Sequence, residues 1–349
     1  MPFTKKSLIA GLGLVLVCGW VLLIYRELLW YCIRQFYGQM QIIWFAKPIE
    51  EYLQNPQYSQ ELKNKILLIQ KIRRFAFDSI GLDETSSYTK LYDQQGKPLL
   101  WIVTACPAYE LVPYEWKFPI IGNFSYKGFF DKEMAIAEAE SLRLQGYDTD
   151  VGEVNAWSTL GFLNDPILSN MLYHSEGKLA NLIIHELTHG TIYIKDGVEY
   201  NENLADFVGE QGAKWFLKST YGENSTEYLE YTYTESDYDI FVNHVLAYAK
   251  RLDSLYRTFH EKTPQLEKQA KKQLLLNQFV EDARALPLRS DYYKKHLVKT
   301  PNNTYFMEFM RYQAQQNMFE TECNQLFKGD LRAYVQYLKK KHRHIISWD

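Results

Sequence analysis

The most constraining feature of this 349-residue chain is a pair of histidines and a glutamate inside a strongly apolar segment. The segment reads LANLIIHELTHGTIYI and contains His185, Glu186 and His189. Residues four apart in a helix lie on the same face, so both imidazoles can reach one ion. Polar side chains within an apolar helix are costly to bury unless they are hydrogen-bonded or bound to a metal. The segment therefore predicts a metal-binding helix, with hydrogen-bonded core histidines as the alternative.

A catalytic zinc site needs a third protein ligand and an open position for water. The extended pattern HExxHxxGxxH is excluded, because Ile192 and Lys195 stand at its glycine and histidine positions. Glu186, between the histidines, is the candidate general base for a metal-bound water. We expect one Zn²⁺ per chain, held by His185, His189 and an acidic residue that follows them.

The acidic candidates lie in the sequence NENLAD, after a turn signal at Asp196-Gly197. This pattern predicts a helix, a tight return and a second helix that has Asn201 as its N-cap. Glu202, the predicted third ligand, would then lie in the first turn and face the histidines. Asp206, one turn later, is expected to accept a hydrogen bond from a ligand histidine, or to compete as the ligand itself. The alternative for both acids is simple stabilisation by the helix dipole.

The amino terminus contains 18 consecutive uncharged residues, Leu8 to Tyr25. As a helix this run is about 27 Å long, close to the roughly 30 Å hydrocarbon core of a bilayer. Lys5 and Lys6 precede it, and no small-x-small cleavage site follows it, which favours a retained anchor over a cleaved signal peptide. A lipoprotein signal at Cys18 would lack the small residue before the cysteine. We expect residues 1–27 to form a single span, with the body outside the cytoplasm.

The composition of the full chain is that of an ordinary globular protein, and residues 28–349 are expected to form its folded body. Hydrophobic residues make up 46% and charged residues 23%, which excludes a disordered chain and a multi-span transporter. The net charge of −3 gives no basic surface for nucleic acid. The four cysteines include no CxxC pair, which excludes a cysteine zinc finger, and Cys106 and Cys323 are expected to be buried.

The apolar spacing predicts an α+β fold that is mostly helical and contains a small sheet. Strands are expected over Pro98–Thr104 and Thr149–Trp157, with loop and irregular strand over 107–130 between them. Helices are expected over Leu28–Trp44, Glu61–Leu82 and Asp131–Leu144. From Lys178 onward most of the chain is expected to be helical, with a hairpin of Leu246–Phe259 and Leu266–Ala285 followed by further helical structure over Asn302–Lys341. We expect one large body with its core at about 95–220 and a helical part at about 221–349. The basic cluster at 339–344 is expected to be a solvated helix end.

The sequence HELTH followed by NExxxD resembles the gluzincin zinc peptidases, with a shorter spacer than their best-known members. The chain as a whole is similar to a bacterial family of predicted aminopeptidases. The shared landmarks extend through most of the chain: QFYGQ at 35–39, IRRFA at 72–76, WKFP at 116–119, YKGF at 126–129, AWSTLGF at 156–162, DP at 165–166 and NN at 302–303. Relatives often carry a cysteine pair where Lys117 and Asn123 stand here, so no disulfide is expected there.

The resemblance implies a zincin-like catalytic core and a zinc peptidase anchored to the bacterial inner membrane, with its body on the periplasmic side. The implied partners are a peptide or protein substrate and the membrane. Two other functions fit the same features. One is a membrane-tethered binding or chaperone-like protein with structural zinc or none, and the other is an amidase that acts on cell-wall peptide.

The substrate-binding residues are less sharply indicated. Zinc peptidases usually lay the substrate along an edge strand, and Val151–Trp157 is the candidate, although a core strand followed by a turn fits equally well. The candidates at its rim are Trp157, Ser158, Thr159 and Gly161. A phenol or imidazole that stabilises developing negative charge is expected beside the metal, and the candidates are Tyr126, Tyr193, Tyr200 and His244. The GxMxN signature of the best-known gluzincin aminopeptidases is absent, so the sequence leaves exo- and endopeptidase activity open.

Overall fold

The computed structural model describes residues 25–118, 122–154, 164–195, 197–289, 301–312 and 316–342. Contacts divide the chain into two units, Met1–Ala46 and Lys47–Asp349. Residues 1–24 of the predicted anchor lie outside the described residues. Within the described ranges, no helix is both long and apolar enough to cross a membrane.

The first unit contains helix α1 (Arg26–Phe45), which confirms the helix predicted over Leu28–Trp44. The helices of the second unit are α2 (Ile49–Gln54), α3 (Gln60–Phe75), α4 (Lys132–Leu144), α5 (Glu176–Thr191), α6 (Val198–Tyr221), α7 (Thr226–Arg257), α8 (Gln265–Arg284), α9 (Asn303–Tyr312), α10 (Gln316–Phe327) and α11 (Leu331–His342). Its strands are β1 (Lys47–Pro48), β2 (Lys90–Tyr92), β3 (Leu100–Pro107), β4 (Trp116–Phe118), β5 (Gly122–Phe124), β6 (Lys127–Phe129), β7 (Tyr147–Val154) and β8 (Ile167–Leu168). The fold is therefore α+β and mostly helical, as predicted.

The longest strands, β3 and β7, are antiparallel neighbours, and β6 pairs with the other edge of β3. Both strands were predicted, but β3 extends three residues beyond Thr104, to Pro107. Helix α4 packs on this sheet. A second sheet joins β1, β2 and β8, and β4 forms a hairpin with β5. In that hairpin Lys117 lies directly opposite Asn123, so a cysteine pair at these positions would join neighbouring strands.

Side-chain caps explain where several helices begin. Ser59, Asp131, Ser175 and Ser225 each accept a hydrogen bond from the backbone N–H three residues later. At the other end of α3 the chain continues as a π-helical turn, Ala76–Ile80, and stops at Gly81. Gly81 has φ +86°, a left-handed conformation that glycine adopts without a steric penalty. The helix predicted over Glu61–Leu82 is thus confirmed within two residues.

The predicted helical hairpin is present as α7 and α8, which pack with α9 around the fully buried rings of Phe279 and Phe306. Helix α7 begins at Thr226, well before Leu246, because the Ser225 cap allows an earlier start. Lys272 of α8 donates to the carbonyl oxygen of Ala108 at 2.7 Å and links the hairpin to the loop after β3.

The carboxyl-terminal part confirms one prediction and corrects another. The helical structure predicted over Asn302–Lys341 is confirmed as α9, α10 and α11, and left-handed residues at Lys328 and Gly329 separate the last two. The basic helix end is not simply solvated, because Lys339 binds the Asp83 carboxylate and donates to the carbonyl oxygen of Gly81. His342 is also 9% exposed. Cys106 and Cys323 are buried as predicted.

Candidate metal centre

Helix α5 carries both histidines into the protein interior. Its apolar side is fully buried through Leu179, Ile183 and Ile184, which fixes the rotation of the helix. His185 and His189 lie one turn apart on a neighbouring face, and His189 is 3% exposed. The residues of α5 therefore determine the direction in which both imidazoles point.

The two imidazoles converge with a carboxylate from α6. The Nε2 atoms of His185 and His189 are 3.1 Å apart, and each lies 3.6 Å from Oε2 of Glu202. One ligand atom from each residue falls within 4.8 Å of the others, which makes them a group that could hold a metal ion. Asp206 binds the opposite side of His185, with Oδ1 at 2.9 Å from Nδ1.

The return between α5 and α6 differs from the prediction in one respect. Helix α6 begins at Val198 with Gly197 as its N-cap, so Asn201 lies inside the helix and Glu202 in its second turn. The Asn201 side chain instead accepts from the backbone N–H of Ile194 and donates to its carbonyl oxygen, each at 2.8 Å. Asn201, 2% exposed, therefore ties the return segment to α6 rather than starting that helix.

A glycine allows α6 to approach α5 closely beside the histidines. A Cβ atom added to Gly209 would lie 2.5 Å from Oδ1 of Asn181, 3.0 Å from its carbonyl oxygen and 3.1 Å from Cβ of His185. Such distances are below van der Waals contact, so only glycine fits without movement. Glu202 and Asp206 lie on the same helix, and their reach to the histidines depends on this approach.

Burial and charge oppose each other at His185. Burial lowers the pKa of its imidazole, but hydrogen bonds to Asp206 and Glu202 outweigh burial and raise the pKa to about 10. Burial raises the pKa of Glu202, whereas its bonds to His185 and His189 hold the pKa far below its usual range. The carboxylates around the two histidines therefore make the site negatively charged, which favours a cation between His185, His189 and Glu202.

The donor set fits zinc. Two imidazole nitrogens and one carboxylate oxygen from two helices form the ligand combination of a three-ligand catalytic site, which leaves a position for water. Nδ1 of His185 points at Asp206, which fixes its proton there and leaves Nε2 directed at Glu202 and His189. Carboxylate partners of this kind orient ligand histidines and raise their basicity.

A comparison of the chain with models of known protein families identifies its family. The model of the family described as "Putative aminopeptidase" matches residues 30–344. The chain belongs to this family. Membership supports a peptidase-like function at a coarse level. No curated protein and no solved structure matches the chain.

Glu186 of this aminopeptidase-family chain is half-buried beside the histidines. Its Oε2 atom is buried and has no hydrogen-bond partner among the described residues. Its charge contributes to the raised pKa of His185. A buried carboxylate oxygen without a partner is unusual and is available to a bound water or substrate.

Sequence reasoning missed Tyr88, which lies close enough to Glu186 to respond to its charge. Tyr88 is 1% exposed, has φ +63°, and its hydroxyl has no hydrogen-bond partner within the described ranges. Burial, followed by the charges of Glu186 and Asp165, raises the pKa of its phenol well above the usual value. No pattern in the sequence marks Tyr88, because it lies in a loop and 27 tyrosines offer many equivalent choices.

The other predicted site residues are placed as follows. Tyr126 is 45% exposed in the turn before β6. Tyr193 is half-buried in the return segment after α5. The hydroxyl of Tyr200 lies 3.3 Å from Nε2 of His342, and burial raises the pKa of this phenol to about 12. His244 stacks on Phe279 within the helical hairpin, with its Nε2 atom 3.1 Å from the Phe279 carbonyl oxygen. Trp157, Ser158, Thr159 and Gly161 lie outside the described residues.

Proposed function

We propose that this chain is a membrane-anchored zinc metallopeptidase of zincin-like, gluzincin-type architecture that removes residues from the amino ends of peptides. The observation that carries the proposal is the convergence of His185, His189 and Glu202, with Asp206 bound to the outer nitrogen of His185. Membership of the aminopeptidase family supports the substrate class. A structural site alone would have no use for Glu186 beside the ligands.

His185, His189 and Glu202 would hold the metal. Bound zinc supplies a Lewis acid and lowers the pKa of its water toward about 7. The Glu186 carboxylate accepts the proton of the attacking water and delivers it to the leaving amine nitrogen. Asp206 keeps the proton of His185 on Nδ1, so that Nε2 remains a ligand.

The proposal places the chain at the bacterial inner membrane, with the uncharged run at 8–25 as a single span and the second unit on the periplasmic side. Lys5 and Lys6 before the run support this orientation, because cytoplasmic flanks are enriched in lysine and arginine, and Arg26 and Arg34 after the run partly offset that bias. Peptides or proteins exposed in the periplasm would be the substrates.

The test compares three full-length proteins purified in detergent and loaded with zinc: the native chain, Glu186→Gln and Glu261→Gln. Glu261 is an exposed residue between α7 and α8, and its substitution controls for the loss of a carboxylate elsewhere. Each protein is incubated with a mixed peptide library, and the products are identified by mass spectrometry. We expect the native chain and Glu261→Gln to remove single residues from amino ends. Glu186→Gln should retain one zinc per chain and lose turnover.

Each other outcome contradicts a specific part of the proposal. Native turnover by Glu186→Gln would refute Glu186 as the base. Internal cleavage would make the chain an endopeptidase. Absence of cleavage by the folded, zinc-loaded native chain would refute the peptidase and favour the tethered binding protein.

A further inference from the structure

Helix α1 exposes a continuous apolar face. Besides Phe45 (62%) at the last position of the helix, six of its large apolar side chains are more than a third exposed: Leu29 39%, Trp30 54%, Ile33 58%, Phe36 64%, Tyr37 57% and Trp44 63%. At 100° per residue, these positions fall within an arc of about 120°. Met40 completes the arc, and no charged residue lies within it between Leu29 and Trp44. Soluble surfaces rarely expose an apolar patch of this kind unless it binds something.

The rest of α1 is mixed: polar side chains lie beside the partly buried Leu28 and Ile43, and Phe45 is exposed at the end of the helix. Its charged residues are Arg26 and Glu27 in the first turn and Arg34 beside the apolar face. The Arg34 guanidinium lies 5.1 Å from the centre of the Trp30 ring, at the edge of the arc. Gly38 and Ile42 lie on the other side of the helix and are buried. The helix is therefore amphipathic, which distinguishes it from the uniformly apolar run that precedes it.

The chain before α1 indicates what covers this face. The 18 uncharged residues at 8–25 end where α1 begins, and this run is long enough to cross a bilayer. A helix that directly follows a span starts at the level of the lipid headgroups. Trp and Tyr rings with a nearby arginine are typical of that level, because their apolar bodies contact acyl chains and their polar groups stay in water.

We infer that α1 lies along the membrane surface, with Leu29, Ile33, Phe36, Tyr37 and Trp44 in contact with lipid. The arginine at the edge of the face stays at the headgroups, since long basic side chains extend toward water from apolar surroundings. The inference extends the proposed anchor and is independent of peptidase activity. It extends lipid binding to residues 26–45, whereas the predicted span ends near residue 27.

The test uses spin labels on the full-length chain in vesicles of phosphatidylethanolamine and phosphatidylglycerol. Cys18 and Cys32 are replaced by serine, and the buried Cys106 and Cys323 are retained. Single cysteines for labelling are introduced as Ile33→Cys and Tyr37→Cys on the face, Gln35→Cys off the face, and Glu261→Cys as the water reference. Collision rates with oxygen, which concentrates in lipid, and with a water-soluble nickel complex are measured at each site.

We expect oxygen collisions to exceed nickel collisions at positions 33 and 37, and the ratio to reverse at position 261. Position 35 should give a lower ratio than its neighbours on the face. Nickel accessibility at 33 and 37 equal to that at 261 would overturn the inference, because the face would then be in water. Low accessibility to both probes would also overturn it and would indicate a protein partner. A chain that fails to float with the vesicles would refute the anchor and this inference together. Peptide cleavage by the labelled proteins reports on the proposed function separately.

Discussion

Replacing Gly209 by alanine tests whether close approach of α5 and α6 builds the metal site. The added Cβ would lie 2.5 Å from Oδ1 of Asn181 and 3.0 Å from its carbonyl oxygen. The side-chain amide cannot turn away freely, because its Nδ2 atom donates to the Tyr231 hydroxyl at 2.9 Å. The carbonyl oxygen belongs to the α5 backbone, so the helices themselves must move apart.

Two opposing effects determine the expected change in the free energy of unfolding of Gly209→Ala. Overpacking a well-packed interface by one methyl group costs about 2–3 kcal/mol. Alanine is favoured over glycine inside a helix by roughly 1 kcal/mol, which offsets part of that cost. We therefore expect Gly209→Ala to lose about 1–2 kcal/mol of free energy of unfolding. Zinc affinity should fall as well, because Glu202 and Asp206 move with α6 while the histidines stay on α5.

Gly190→Ala is the matched control. Gly190 is also helical and lies in α5, but a Cβ added there meets no atom within 4 Å. Gly190→Ala should be as stable as the native chain, or more stable by up to about 1 kcal/mol, because the preference of alanine over glycine in a helix is not opposed by a clash there. Denaturant unfolding followed by circular dichroism measures stability, and competition with a chromophoric chelator measures zinc affinity. Equal stability and equal zinc affinity of Gly209→Ala and the native chain would refute the reasoning.

Three further variants test other contacts. Asp206→Asn removes the charge bound to Nδ1 of His185, and zinc affinity should fall about 10–100-fold in the chelator competition. Asn201→Ala removes both bonds to Ile194 and should lower the free energy of unfolding by about 2 kcal/mol, whereas an unchanged value would show that the return is held by other contacts. Burial, with acidic neighbours, raises the pKa of Glu235 from 4.5 to about 7. The folded state then binds more protons than the unfolded state in that window, so stability falls as pH rises from about 4.5 to about 7. Unfolding curves across this window should show a smaller fall for Glu235→Gln, and an identical fall would exclude this residue as the cause.

The sequence predicted the parts of the fold that depend on local patterns. Helix α4 and the strands β3 and β7 were found from the spacing of their apolar residues, which can be recognised within each segment without knowing its partner. The pair His185 and His189 was also predictable, since four-residue spacing in a helix is fixed by backbone geometry. These features need no knowledge of long-range packing.

Features set by contacts between distant segments were missed or misplaced. Asn201 looked like a helix cap because asparagine is common there, but its amide binds the return segment instead. The Lys339 contact with Asp83 joins residues far apart in the chain, and a basic helix end gives no sign of it. Tyr88 lies near Glu186 only through the packing of its loop. Such contacts depend on tertiary structure, which local propensity does not encode.

The geometry of the candidate metal centre depends on the relative position of two helices. Glu202 and Asp206 are four residues apart and bind opposite sides of the same imidazole, so one register of α6 against α5 satisfies both contacts. Gly209 sets the distance between the helices, and Asn201 fixes the return that joins them. A metal that binds only this arrangement stabilises the folded state, by an amount that grows with the ratio of metal concentration to dissociation constant. Removal of the proposed zinc should therefore loosen the contact between α5 and α6, which would couple metal binding to the stability of the second unit.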